Sequence, residues 1–222
     1  MIIKVCGMKY AGNIGDVAAL GADMVGMVFY NKSPRCVAQP PAGAGRPPGT
    51  DGCRLVGVFV DASVQEIIAR AAAFRLDAVQ LHGSEPPVML DNLRRTLCPD
   101  ICPELKIIKA VGIGCAADFE KCAAYEGSAD CLLFDTRCAG AGGSGRHFDW
   151  KLLDRYTGRL PFILSGGIGP GDEEAVAALR HPKLCGIDLN SRFETAPGLK
   201  DVSLLRPFIG RLRSAWRQRM DN

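Results

Sequence analysis

Short runs of aliphatic and β-branched residues recur along the chain at nearly even intervals: residues 2–6, 24–29, 55–60, 78–81, 105–110, 131–135, 161–165 and 184–189. Each has the length of a strand rather than of a helix. Between them, residues 63–74, 88–97, 116–125, 149–156 and 171–179 carry amphipathic or Ala-rich patterns that predict helices. Residues 201–219 place Leu204, Leu205, Phe208, Ile209, Leu212 and Trp216 at helical spacing, a stripe that faces a core. Alternating strands and helices imply parallel strands joined by right-handed crossovers. Eight such units in 222 residues leave about 28 residues each, short but workable for a βα repeat. One connection departs from the pattern. Residues 39–52 (QPPAGAGRPPGTDG) are too rich in Pro and Gly for a regular helix. Too few residues precede this stretch for it to link two domains, so it reads as an irregular crossover within one domain spanning residues 1–222.

Eight βα units fit either a closed barrel or an open doubly wound sheet, and the parity of polar residues separates the two. Successive strand residues face opposite sides. Lys4 and Cys6 share one face, against Ile3 and Val5; Gln80 and His82 share one face, against Val79 and Leu81. Asp135 lies opposite Phe134, and Asp61 opposite Val60. Polar groups thus collect on one face at the carboxyl ends of at least four strands. In a (β/α)₈ barrel that is the mouth, where active sites are built. The expected fold is a single eight-stranded TIM barrel.

Composition removes several classes of function. Apolar residues make up 47%, and 27 basic against 24 acidic residues leave a net charge of only +3, which excludes intrinsic disorder and gives no argument for nucleic acid. Arg206, Arg211, Arg213, Arg217 and Arg219 read as the solvated face of the last helix. No apolar run approaches a membrane span, and the first residues look like a strand rather than a signal peptide. The ten cysteines include no CxxC pair; the nearest approach, Cys98 and Cys102, has no histidine pair to complete a zinc site. Cys53, Cys131 and Cys185 sit in or beside apolar strands, where a free thiol acts as a small hydrophobe. A reduced, cytoplasmic protein without a metal is expected.

The remaining candidates all lie at predicted strand ends. Strand seven runs into Ser165-Gly166-Gly167-Ile168 and strand eight into Asp188-Leu189-Asn190-Ser191-Arg192. Glycine lets backbone N–H groups approach a phosphate, and the loops after strands seven and eight hold one in many such barrels. Gly166, Gly167, Ser191 and Arg192 are therefore the candidate phosphate cradle. Cys6 and Asp135 end strands one and six on the inward face. A thiolate can take a proton and a carboxylic acid can give one, although a buried structural thiol and a helix cap would look the same in sequence. Residues 136–147, with four glycines, suggest a loop that closes beside the acid. Arg35 follows strand two and could grip a carboxylate through a forked pair of hydrogen bonds. His82 could act as acid, base or orienting group.

These residues carry a family resemblance. Lys4-Val5-Cys6-Gly7-Met8, Ser33-Pro34-Arg35, Val56-Gly57-Val58-Phe59-Val60 and Val79-Gln80-Leu81-His82-Gly83 occur in order. Asp135 with Gly142-Gly143-Ser144-Gly145, Ser165-Gly166-Gly167-Ile168, and Gly186-Ile187-Asp188 through Glu194, Pro197-Gly198 and Lys200-Asp201 continue the series. In this the chain resembles the phosphoribosylanthranilate isomerases, a family of tryptophan-pathway barrels. The resemblance implies an Amadori rearrangement of N-(5-phosphoribosyl)anthranilate, without metal or cofactor, by a monomer or homodimer. It implies Asp135 as general acid and Cys6 as general base, with Arg35 and His82 binding substrate. The chemistry then demands an ionised Cys6, activated by Lys4 or by the bound substrate, and a protonated Asp135. Where the family commonly has Ser-Ser-Gly this chain has Asn190-Ser191-Arg192, so the phosphate would rest on the amides of Ser191 and Arg192. Other phosphate-binding barrels, the histidine-pathway sugar isomerase and indole-glycerol-phosphate synthase, are the alternatives; Cys6 at the first strand end suits neither. A non-catalytic ligand-binding barrel leaves the Cys6–Asp135 pair without a purpose.

Overall fold

The computed structural model of the chain describes residues 1–38, 45–97, 104–136 and 148–220. Eight parallel strands close into a barrel in sequence order: β1 (Ile2–Val5), β2 (Met24–Val28), β3 (Arg54–Phe59), β4 (Ala78–Leu81), β5 (Lys106–Ile113), β6 (Cys131–Thr136), β7 (Phe162–Leu164) and β8 (Leu184–Leu189). The seam between first and last strands pairs Ile3 with Ile187 and Lys4 with Asp188. Among the described residues, five α-helices flank the barrel: α1 (Ala11–Ala19), α2 (Val64–Phe74), α3 (Pro87–Leu97), α4 (Glu173–Ala178) and α5 (Val202–Met220).

Strand parity accounts for the core. Met24, Val56, Ala78, Ile108, Ala110, Leu133 and Ile163 fill the barrel interior, with Cys6, Val28 and Val58 packed as a smaller group. The alternate residues, among them Val25, Phe59, Leu81, Phe134, Phe162 and Ile187, face outward into the layer shared with the helices. Between β2 and β3 the described residues hold no helix, as the Pro/Gly composition predicts; residues 39–44 of that stretch lie outside the described residues.

The predicted helices at 116–125 and 149–156 form instead as 3₁₀ segments, Ala116–Tyr125 and Trp150–Arg155. Their amides bond three residues back, as in Asp118 N–H to Cys115 O and Tyr156 N–H to Leu153 O. A 3₁₀ turn rises about 2.0 Å per residue against about 1.5 Å for an α-helix, so a short connection covers more of the barrel wall. Packing repays the poorer geometry, since Phe119 and Tyr156 dock edge-on against Phe134.

The amino-terminal end of the barrel is held by one device used three times. Asp23, Asp77 and Asp130 immediately precede or approach β2, β4 and β6, and their carboxylates accept the backbone N–H of Ile3 (2.7 Å), Leu55 (2.6 Å) and Ile107 (2.8 Å). Each aspartate also returns its own N–H to the carbonyl of that same residue. Each carboxylate is then paired with an arginine: Arg213, Arg46 and Arg94 respectively. The tail arginines therefore do more than solvate a helix face. Arg213 also donates to the carbonyls of Met1 (2.9 Å) and Gly21 (3.0 Å), and Arg219 donates to Ala177 O (2.6 Å), fastening α5 across the floor of the barrel.

Candidate active site

Cys6 follows β1 at the mouth, 4% exposed, its backbone N–H bonded to Leu189 O at 2.8 Å. Below it on the same inward face, Lys4 is fully buried and donates to Asp188 Oδ1 at 2.8 Å, while Ser165 Oγ donates to Asp188 Oδ2 at 3.1 Å. Gly26 of β2 makes room for both. A Cβ at Gly26 would stand 2.8 Å from Cys6 Sγ and 3.3 Å from Lys4 Nζ. Burial works against the Lys4 charge, but the carboxylate of Asp188 and the neighbouring sulfur outweigh it, and the ammonium holds its proton above the ordinary lysine range. Burial pushes the Cys6 thiol up; the Lys4 ammonium opposes that shift without cancelling it.

Asp135 near the end of β6 and His82 just after β4 meet at the mouth, His82 Nε2 lying 3.3 Å from Asp135 Oδ2. The other carboxylate oxygen accepts Thr136 N–H at 2.9 Å. Gln80 Nε2 lies 3.0 Å from His82 Nδ1. With the amide donating to Nδ1, the proton of a neutral imidazole is on Nε2, the ring nitrogen nearer Asp135. Residues 137–147, the expected glycine-rich closing loop, lie outside the described residues, as do Cys98 and Cys102.

Arg35 follows β2 at the same mouth, but its fork is already occupied. Its Nε donates to both carboxylate oxygens of Glu194 (2.9 and 3.1 Å), and Nη2 donates to Oε2. Glu194 is held in turn by Lys200 Nζ at 2.7 Å, and that buried ammonium donates also to Asn190 Oδ1 at 2.8 Å. Burial alone would raise the Glu194 carboxyl; hydrogen bonds from Arg35 and Lys200 bring it below its ordinary value instead. Burial lowers Lys200, although Glu194 acts the other way. Gly7, at φ +74°, is where Cys6 meets this group: a Cβ there would lie 2.7 Å from Arg35 Cδ and 2.5 Å from Asn190 Oδ1.

The two candidate phosphate loops lie next to each other. Gly166 and Gly167 take φ +92° and +76°, a region that favours glycine. Gly169, two residues on, is so close to the 3₁₀ turn Ser191–Phe193 that a Cβ would stand 2.8 Å from Arg192 Nε. All the candidate residues are thus at the carboxyl end of the barrel. Sequence alone assigns no part to Asp188, Glu194 and Lys200. Parity would have flagged Asp188 beside Lys4, but no local pattern pairs Glu194 with Arg35, 159 residues away.

A family model described as N-(5'-phosphoribosyl)anthranilate (PRA) isomerase matches residues 3–211. The chain is 46% identical over 213 residues to the N-(5'-phosphoribosyl)anthranilate isomerase of Parabacteroides distasonis, covering 94% of this chain and 92% of that protein. It is 40% identical to the enzyme of the same name from Phocaeicola vulgatus, covering 96% and 98%. Among solved structures, the phosphoribosyl anthranilate isomerase of Thermus thermophilus superposes with a TM-score of 0.77 at 31% identity, over 96% of this chain and 99% of that one. A phosphoribosyl anthranilate isomerase in complex with reduced 1-(o-carboxyphenylamino)-1-deoxyribulose 5-phosphate matches with a TM-score of 0.71 at 30% identity, over 96% and 100%.

Proposed function

The chain belongs to the N-(5'-phosphoribosyl)anthranilate isomerase family of tryptophan biosynthesis, and from that premise we propose how its own residues perform the isomerisation. Asp135 protonates the ribose ring oxygen as the C1′–oxygen bond opens, leaving a Schiff base to the anthranilate nitrogen. Cys6, as thiolate, removes the C2′ proton to give an enolamine, which tautomerises to the 1-deoxyribulose product. The observation that carries this reading is the pairing of two opposite environments at one mouth. Asp135 accepts Thr136 N–H on one oxygen and has His82 Nε2 3.3 Å from the other, two groups placed to stabilise the carboxylate left after proton transfer. Cys6 has a buried ammonium beside it, ready for the thiolate.

The phosphate rests on the amides of Gly166, Gly167, Ser191 and Arg192; the left-handed conformations of Gly166 and Gly167 let the backbone of the first loop approach an anion. Arg35 meets the anthranilate carboxylate. Acid and base are both side chains of this chain, so the route draws on no metal or cofactor. Every group named belongs to one polypeptide and serves a monomer or a homodimer equally. A base that is a free thiol suits the reducing cytoplasm.

The test is a matched pair of variants in a fluorescence assay with freshly made phosphoribosylanthranilate. Cys6→Ala and Asp135→Asn should each lower kcat by roughly 10²–10⁴-fold, the usual share of one acid or base, with KM nearly unchanged. Wild-type kcat in Cys6→Ala would remove the thiol from the mechanism. A raised KM at constant kcat in Asp135→Asn would make that residue a binding group instead.

A further inference from the structure

Arg35 is held in place before any ligand arrives. Glu194 takes up Nε and Nη2 together, leaving the Nη1 corner of the guanidinium outside these contacts. Glu194 is itself secured from the other side by Lys200, whose side chain is fully buried, and by Gly198 N–H at 3.2 Å. Lys200 in turn is anchored on Asn190. The group lies against the Cys6–Gly7 turn, where only a glycine leaves space for the Arg35 stem and the Asn190 amide. Two cations and one anion leave the group one net positive charge, so a substrate carboxylate brings it to neutrality while Glu194 stays where it is.

We propose that Glu194 is a positioning residue that turns Arg35 from a mobile cation into a fixed reader of where the carboxylate sits on the aromatic ring. This rests on the assignment of Arg35 to the anthranilate carboxylate. A free arginine would follow a carboxylate to either neighbouring ring position, because its long stem has many rotamers. Clamped by its fork, Arg35 offers one corner at one place, and a carboxylate ortho to the anilino nitrogen gains what a meta one cannot reach. Specificity then comes from the rigidity of the contact and not from its charge.

The experiment compares three substrates, the 5-phosphoribosyl adducts of anthranilate, 3-aminobenzoate and aniline, in wild type, Glu194→Gln, Glu194→Asp and Arg35→Met. The ratio of kcat/KM for the ortho adduct to that for the meta adduct is the reading. Glu194→Gln, the same size but unable to take the whole fork, should lower that ratio about tenfold, the scale of ordering one long side chain. Glu194→Asp, charged but one methylene short, should fall between. Turnover of the aniline adduct should stay at the wild-type level in both, which also shows that the variants fold. A wild-type ratio in Glu194→Gln overturns the proposal, and so does an equal loss on all three adducts. Arg35→Met separates the two readings. If it leaves the ortho preference intact, the carboxylate assignment itself fails; if it abolishes the preference while Glu194→Gln keeps it, only the positioning role fails.

Discussion

The Lys4 ammonium is expected to set how easily Cys6 ionises, and the structure gives the size of the effect. Cys6 Sγ and Lys4 Nζ lie 2.8 and 3.3 Å from one point, the place of a missing Gly26 side chain, so about 6 Å is the most that can separate them. At that separation and an effective dielectric near 20, one charge stabilises the other by about 2.7 kcal/mol. Lys4→Met alone would strand the Asp188 carboxylate in the interior, a loss of about 3–5 kcal/mol in stability that would confuse the kinetics. The informative protein is therefore Lys4→Met with Asp188→Asn, which removes both charges of the pair together. The wild-type thiol already stands above its ordinary value, so kcat/KM should climb as pH rises, because the base must lose its proton to act. In the double variant that alkaline limb should move to higher pH, by less than the whole Lys4 interaction because the opposing Asp188 charge has gone as well. At neutral pH the loss in kcat/KM should reach about 10–100-fold, and the rate of Cys6 alkylation should move with it. Identical pH profiles in the wild type and the double variant would refute the argument and leave Cys6 to be ionised by the substrate.

The other expectations concern neighbouring parts of the site. Arg35→Met should raise KM about ten- to a hundredfold at nearly constant kcat, and Arg35→Lys should recover only part, since an ammonium cannot replace the fork; steady-state kinetics decide, and a change confined to kcat would contradict the binding role. Crystals grown from phosphate or sulfate should show an anion between Gly166-Gly167 and Ser191-Arg192; density only at the amino-terminal end of the barrel would refute the cradle. Gly26→Ala should lower activity by about tenfold or more, because the added methyl displaces Cys6 or Lys4, while leaving the far-ultraviolet circular dichroism unchanged. Wild-type turnover in that variant would show that the sulfur has freedom to move.

What could be read in the sequence and what could not divide along physical lines. Strand parity is local, so the inward positions of Cys6, Lys4, Gln80 and Asp135 and the closed barrel followed from alternation alone. The patterns at 116–125 and 149–156 predict α-helices because periodicity cannot tell a 3₁₀ turn, stabilised by aromatic docking on β6 and β7, from an α-helix. Arg35 follows β2 at the mouth, but the occupation of its fork by Glu194 is out of reach of sequence reasoning. Glu194 and Lys200 come from a short hairpin (Glu194–Ala196 with Leu199–Lys200) beyond β8, and closing the barrel is what brings them to β2. The tail arginines show the same limit: charge patterning predicts a wet helix face, whereas the partners of Arg213 lie at the opposite end of the chain.

The aspartate clamps at the amino-terminal end tie β1 to β2, β3 to β4 and β5 to β6, and no described aspartate does the same for β7 and β8. That last quarter is also built on a three-residue strand and a six-residue helix, with a register shift between Phe162 and Ile163. It is consequently the part of the barrel wall whose amides should exchange with solvent most readily, since local opening there breaks the fewest ties. The same quarter carries both loops of the proposed phosphate cradle, Gly166-Gly167 after β7 and Ser191-Arg192 after β8. A bound phosphate, bridging the loops after β7 and β8, would supply across the top of those two strands the cross-link that carboxylates supply beneath the other six. Ligand-induced slowing of exchange should accordingly be greatest in β7, α4 and β8, making the substrate a fourth fastening of the barrel.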